Sequence, residues 1–385
     1  MAGLNSPSKL PPPSVGKLLT VLSIDGGGIK GLIPAVVLHC LEGELKKLDG
    51  EQARIADYFD VVAGTSTGGL IAAMLGAPDA NTNNPRPKYN TDDIKNFYIN
   101  DGPIIFTPPD NYDWTTPGPK YDGKFLHEIV KEELGSTRLV QALTNLVIPT
   151  FDILRLSPVI FSKFKAQEDE FKYLNGLLSD ISISTSAAPT YLPAHCFTSE
   201  DGNTEFNMID GGAAAELYPM MDRADDCSNI LLLSLGCGVQ PPVSAPGWTV
   251  STVNQFSQMG WMIQLETKRS PILESIGAAS TDIVDYYAYS VFKARNAERN
   301  YLRVQTDALT PDMDKMDNAD PVNLQNLVDI ANKMIDGNVK KINPVTFQLE
   351  PMDDTTTYKQ ELIRYAKILS DERKGRIAKL GSKKY

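Results

Sequence analysis

The period of apolar and polar positions changes several times along this chain, and each change marks a predicted element. Residues 17–24 form a short continuous apolar run, as a strand buried on both faces would, and Ile33, Val36, Val37, Leu41, Leu45 and Leu48 then recur at helical spacing. Residues 58–63 read as the next strand. Strand, helix, strand in this order is a parallel crossover unit and points to an α/β fold. Further buried strands are predicted at 146–151, 158–161, 206–209 and 230–235. From about Val250 the pattern turns mainly helical, with runs at 272–297, 323–335 and 358–369. Residues 77–93 and 101–123 are loop-like, and the second carries Ile104, Ile105, Phe106, Tyr112 and Trp114 among prolines. That loop is the first candidate for an apolar rim; Phe256, Met259, Trp261, Met262 and Ile263 are a second, for which packed core is the favoured reading. The division expected is a disordered leader at 1–16, an α/β catalytic core at 17–240, and a mainly helical part at 241–385 packed on the same domain.

Composition narrows the function. A chain of 385 residues that is 42% hydrophobic can fill a sizeable core, and a formal net charge of -11 repels phosphate backbones, which argues against nucleic-acid binding. Arg373, Lys374, Arg376, Lys379, Lys383 and Lys384 reverse that charge locally and read as a solvated helix end, with contact to anionic lipid headgroups the alternative. Cys40, Cys196, Cys227 and Cys237 have neither zinc-site nor disulfide spacing, and reduced, buried thiols are expected. No signal peptide is seen, and the first apolar run is too short for an anchor. The expectation is a soluble cytoplasmic protein that contacts membranes peripherally; the oligomeric state cannot be read.

Candidate chemistry begins at Gly64-Thr65-Ser66-Thr67-Gly68, set between a strand-like and an apolar helix-like run. Gly-x-Ser-x-Gly arises by chance in about one chain in ten of this length, so its context decides. A nucleophilic serine stands on a sharp strand-to-helix turn, where crowding leaves almost no room for side chains at the flanking glycines. Such a serine needs a base. His39 and His127 read as structural or solvated, His195 keeps a small chance of involvement, and no histidine follows it to complete the Ser, acid, His order. A desolvated carboxylate can serve instead, because burial raises its basicity. Asp210 ends a strand run and precedes Gly211-Gly212, at the sheet edge where α/β proteins place their sites; an Asp at a tight turn is the alternative. In Asp25-Gly26-Gly27-Gly28-Ile29-Lys30-Gly31 consecutive glycines let backbone N–H groups converge on an oxyanion. The run also fits Gly-x-Gly-x-x-Gly, a dinucleotide pattern, although Asp25 would repel a pyrophosphate. Lys30 reads as solvated. No metal or cofactor is implied.

With these three motifs in this order, the chain resembles the patatin-like phospholipases, most closely the plant branch. Residues 56–61 and 184–191 add to the likeness, which runs from about Leu18 nearly to the C-terminus. The resemblance implies a three-layer α/β/α fold with a central, mostly parallel sheet and a helical C-terminal elaboration. It implies a Ser-Asp dyad with Ser66 as nucleophile and Asp210 as general base, an oxyanion hole at Gly26, Gly27 and Gly28, and supporting roles for Gly31, Gly64, Gly68, Gly211 and Gly212. The substrates it implies are membrane glycerolipids: phospholipids, galactolipids and partial acylglycerols. The chain departs from the family where Ala213-Ala214-Ala215-Glu216-Leu217-Tyr218-Pro219 follows the aspartate motif and where Gly236-Cys237-Gly238 replaces the usual Gly-Thr-Gly. A storage or defence protein with weak esterase activity is therefore the alternative to a lipid acyl hydrolase, with a nucleotide-binding protein behind both.

Overall fold

The computed structural model describes residues 10–79, 85–110, 112–113, 117–214, 227–241, 248–264, 270–343, 345–346 and 348–382. Trp114, residues 1–9 of the predicted leader and 215–219 of the divergent segment lie outside the described residues.

Strands β1 (Leu19–Ile24), β2 (Val61–Gly64), β3 (Asn145–Asp152), β4 (Ser157–Ser162), β5 (His195–Thr198), β6 (Glu205–Asp210), β7 (Ile230–Leu235) and β8 (Tyr301–Val304) build one sheet. Its order is β5-β6-β3-β2-β1-β7-β8, with β4 on the other edge of β3. β3, β2, β1, β7 and β8 are mutually parallel, β4 and β6 run against them, and β5, antiparallel to β6, again points the way β3 does. The strand, helix, strand reading is met by β1, α1 (Leu32–Asp49) and β2. Alternation along the strands separates two cores: Leu22, Ile24, Val62, Leu231, Leu233 and Leu235 face one, and Val21, Val61 and Leu232 face a smaller one with Phe292 and Ala297.

The remaining helices are α2 (Thr67–Gly76), α3 (Thr91–Asn100), α4 (Gly102–Ile105), α5 (Lys124–Leu134), α6 (Lys163–Ala166), α7 (Leu178–Thr185), α8 (Val250–Val253), α9 (Gln258–Met262), α10 (Pro271–Ala294), α11 (Pro321–Asp336) and α12 (Tyr358–Ser382). α10 supplies Phe292 to the small core; α3, α11 and α12 pack on α1. This is the mostly parallel, helix-flanked sheet that the resemblance implies.

Several expectations need correction. β2 starts at Val61, because residues 55–57 form a helical turn and Asp60 turns its carboxylate back onto the Thr20 N–H at 2.9 Å. Strands β5 and β8 have no run in the sequence reading. Met259, Trp261 and Met262 are exposed on α9 instead of packed, and in the candidate rim Ile104 and Tyr112 are exposed while Ile105 is buried. Cys196 is exposed, unlike Cys227 and Cys237. The C-terminal basic cluster is not simply solvated: Arg373 is buried and lies over the Tyr58 ring, and Arg376 is fully buried. Lys383 and Lys384 lie outside the described residues.

Candidate active site

The sheet itself brings the two ends of the site together. β4 pairs with β3 from Val147 to Asp152, which occupies one edge of that strand. β2 and β6 must then share the other edge: β2 pairs with Asn145 to Val147, and β6 pairs in the opposite direction with Thr150 to Asp152. Their C-terminal ends therefore meet head-on along β3. Gly64 ends one and Asp210 ends the other, with Ile148 and Pro149 spanning the gap.

Ser66 stands in that gap, just past β2 and just before α2, with φ 56° and ψ −128°. A non-glycine residue there carries roughly 1–3 kcal/mol of backbone strain. The glycines on either side make the turn sterically feasible, since a Cβ at Gly64 would collide with the Gly68 carbonyl and one at Gly68 with the Ile24 carbonyl. The Ser66 hydroxyl donates to Asp210 Oδ2 at 2.6 Å. The Ser66 N–H donates to Thr185 Oγ1 at 2.9 Å, and that hydroxyl donates on to the Pro149 carbonyl at 2.7 Å. Thr185, at the end of α7, thus fills the gap between the strand ends.

Asp210 is buried, and Oδ1 accepts the Gly212 N–H at 2.7 Å. Burial pushes its carboxyl up to about 6, against the opposing hydrogen bonds from Ser66 and Gly212. Gly211 packs so tightly on the Pro149 carbonyl that no side chain fits.

The glycine-rich segment leaves β1 beside the serine, and a Cβ at Gly26 would stand 2.9 Å from Ser66 Cβ. The N–H groups of Gly26, Gly27 and Gly28 have no hydrogen-bond partner among the described residues, whereas the next, Ile29, donates to the Met316 carbonyl at 2.8 Å. Gly28 has φ +60°, and the Met316 carbonyl occupies the space its side chain would need. Gly31 abuts Thr67 and Tyr98, which hydrogen-bond each other. Lys30, expected to be solvated, is buried and paired with Asp314 at 2.6 Å.

Asp25 is held by Arg303 of β8, whose Nη1 and Nη2 donate to its carboxylate at 3.1 and 2.6 Å. Nη1 also donates to Ser234 at 2.9 Å, and Asp285 of α10 lies 3.0 Å from Nε. Burial disfavours the guanidinium charge, yet Asp25 and Asp285 outweigh it and raise its pKa. The Asp25 carbonyl accepts a hydrogen bond from the buried thiol of Cys237 at 3.3 Å.

None of the three histidines hydrogen-bonds to Ser66. His39 pairs with Asp92 at 3.3 Å, His195 contacts Asp180 at 2.9 Å, and His127 packs edge-on to His195. Sequence reasoning missed Thr185, Arg303 and the chain at Asp314 to Asp317. Thr185 lies inside the segment quoted for the resemblance; Arg303 has no local signal, because it acts across 278 residues of chain.

Comparison with known proteins gives a consistent picture. Residues 22–220 match the family described as patatin-like phospholipase. The chain is 43% identical to patatin-like protein 2 of Oryza sativa subsp. indica, over 98% of each chain, and 43% identical to patatin-like protein 2 of Arabidopsis thaliana, over 96% of each. It is 40% identical to patatin-2-Kuras 4 of Solanum tuberosum, over 95% of this chain and 96% of the relative.

Proposed function

The chain belongs to the patatin-like phospholipases, lipid acyl hydrolases, and on that premise we infer that it cleaves fatty acyl esters of membrane glycerolipids through Ser66 and Asp210. The observation that carries this reading is the 2.6 Å hydrogen bond from the serine hydroxyl to a buried carboxylate raised to about 6. A carboxyl group so placed is ionised at neutral pH and still basic enough to take a proton in the transition state.

In this reading the Ser66 oxygen attacks the ester carbonyl while its proton passes to Asp210. The N–H groups of Gly27 and Gly28, with Gly26 beside them, stabilise the oxyanion, and the positive end of α2 adds to that field. Collapse expels the alcohol, which takes the proton from Asp210, and leaves an acyl-Ser66. Water then attacks with Asp210 again accepting a proton, which passes to the departing Ser66 oxygen as the fatty acid leaves. Arg303 and Met316 hold the glycine segment against the serine; they touch no reacting atom.

Phospholipids, galactolipids and partial acylglycerols are the substrates proposed. The test is release of fatty acid from phosphatidylcholine, monogalactosyl diacylglycerol and monoacylglycerol by the protein and by Ser66→Ala and Asp210→Asn. Turnover of at least one lipid, lowered by orders of magnitude in each variant, is expected. No turnover of any of the three, or an Asp210→Asn variant of undiminished activity, contradicts the assignment.

A further inference from the structure

We propose that the β3–β4 turn, residues 153–156, is the surface by which this protein docks on a neutral lipid bilayer. The proposal rests on the hydrolase reading only for its occupant, a lipid surface.

The turn is built against ordinary turn chemistry. Turns of this size favour Gly, Asn, Asp and Ser, which tolerate positive φ or hydrogen-bond the backbone. Here the four residues are Ile153, Leu154, Arg155 and Leu156, and the three aliphatic ones are 47%, 69% and 71% exposed. Leu156 adopts φ 49°, a conformation a glycine would take without strain. So exposed a leucine gains little packing in return. The turn is nonetheless held firmly: buried Asp152 accepts the Leu154 and Arg155 N–H groups at 3.0 and 2.9 Å, and the Ile153 N–H donates to the Asn207 carbonyl at 2.9 Å. A rigid apolar tip presents its side chains to a partner without an ordering cost.

Its position suits a lipid surface. β3 runs past Thr150, the residue opposite Asp210, for two more residues, about 7 Å, before the turn carrying Leu154 begins. The tip thus projects from the end of β3 nearer to Asp210. Arg155 lies between the leucines; its Nη1 bonds Asp152 and the Glu205 carbonyl, and its Nε and Nη2 have no partner among the described residues. The half-exposed guanidinium is thus free to meet a headgroup phosphate while its neighbours enter the acyl region. Arg155 is paired with Asp152 at 2.5 Å and Glu200 of the neighbouring β5–β6 turn with Arg138 at 3.4 Å, which leaves no excess of positive charge to select an anionic surface, so zwitterionic lipid is the occupant proposed.

The test uses phosphatidylcholine vesicles and the pair Leu154→Ser with Leu156→Gly, the second of which eases the backbone at that position. Flotation should show at least tenfold weaker vesicle binding, with turnover of a soluble short-chain ester within twofold of the parent. A tryptophan at the tip, Leu154→Trp, should shift its emission to the blue when vesicles are added. Unchanged vesicle binding in the double variant, an equal loss on vesicles and soluble ester, or no spectral shift overturns the proposal. So does a concentration-dependent dimer that the double variant abolishes, which would assign the tip to a second copy of the chain. The Ser66→Ala variant keeps the two readings apart. It should bind vesicles as the parent does; binding without hydrolysis by the parent would sink the hydrolase reading and leave the docking surface standing.

Discussion

At the scale of single residues, burial of one carboxyl group sets stability against the basicity that the proposed catalysis needs. The folded value of Asp210, about 6, lies above the ordinary 3.8, so the native protein holds this proton to a higher pH than the unfolded chain does. The resulting stabilisation is complete below about pH 4 and is lost as the pH rises through 6; at neutral pH the ionised group costs roughly 3 kcal/mol. Asp210→Asn should accordingly raise the urea midpoint at pH 8, with the difference shrinking toward pH 4. A midpoint difference independent of pH would contradict the raised value. The same residues show what a sequence can reveal. That Ser66, Asp210 and the glycines belong together as a candidate site was legible because each lies in a short motif whose steric demands are local. Arg303 and Met316 were not, since their effect on the glycine segment exists only after strands far apart in the chain have paired.

Among the elements, the end-to-end meeting of β2 and β6 on β3 is what converts two local motifs into one site. Apolar runs made β2, β3 and β6 visible, but antiparallel entry of β6 onto the edge that β2 vacates is a register property that no run of hydrophobicity encodes. β5 and β8 went unseen for a related reason: each has four residues, β5 begins and ends on polar His195 and Thr198, and Arg303 interrupts β8. Thr185 bridges the gap, so Thr185→Val, which keeps the shape and removes the hydroxyl, leaves the Ser66 N–H and Pro149 carbonyl without that partner. Such a loss costs about 1–3 kcal/mol. The measurable outcome is a kcat lowered about tenfold or more for a soluble ester, with KM little changed. A rise in KM alone would mean that Thr185 touches substrate binding and not the nucleophile.

The whole molecule is tied together by its last helix. Arg376 of α12 binds Asp60 at 2.7 and 2.9 Å and Glu372 at 2.8 Å, and donates to the carbonyls of Pro11 and Leu18, joining the C-terminal helix to β1 and to the turn before β2. The sequence offered only a basic cluster, and the partners of Arg376 outside its own helix lie more than 300 residues away. Removing one side of a buried ion pair leaves the other uncompensated and costs about 3–5 kcal/mol, so Arg376→Met should lower unfolding stability by that amount in urea titration. A change under about 1 kcal/mol, the usual worth of an exposed pair, would contradict this packing. The central claim, that an ionised Asp210 activates Ser66 within this assembled fold, is tested most directly by the pH dependence of covalent labelling by a fluorophosphonate, with the labelled residue located by mass spectrometry. The account predicts a label on Ser66 whose rate rises through a single ionisation near pH 6 and collapses in Asp210→Asn. Labelling at another residue, or a rate insensitive to Asp210→Asn but abolished by His195→Gln, would contradict it.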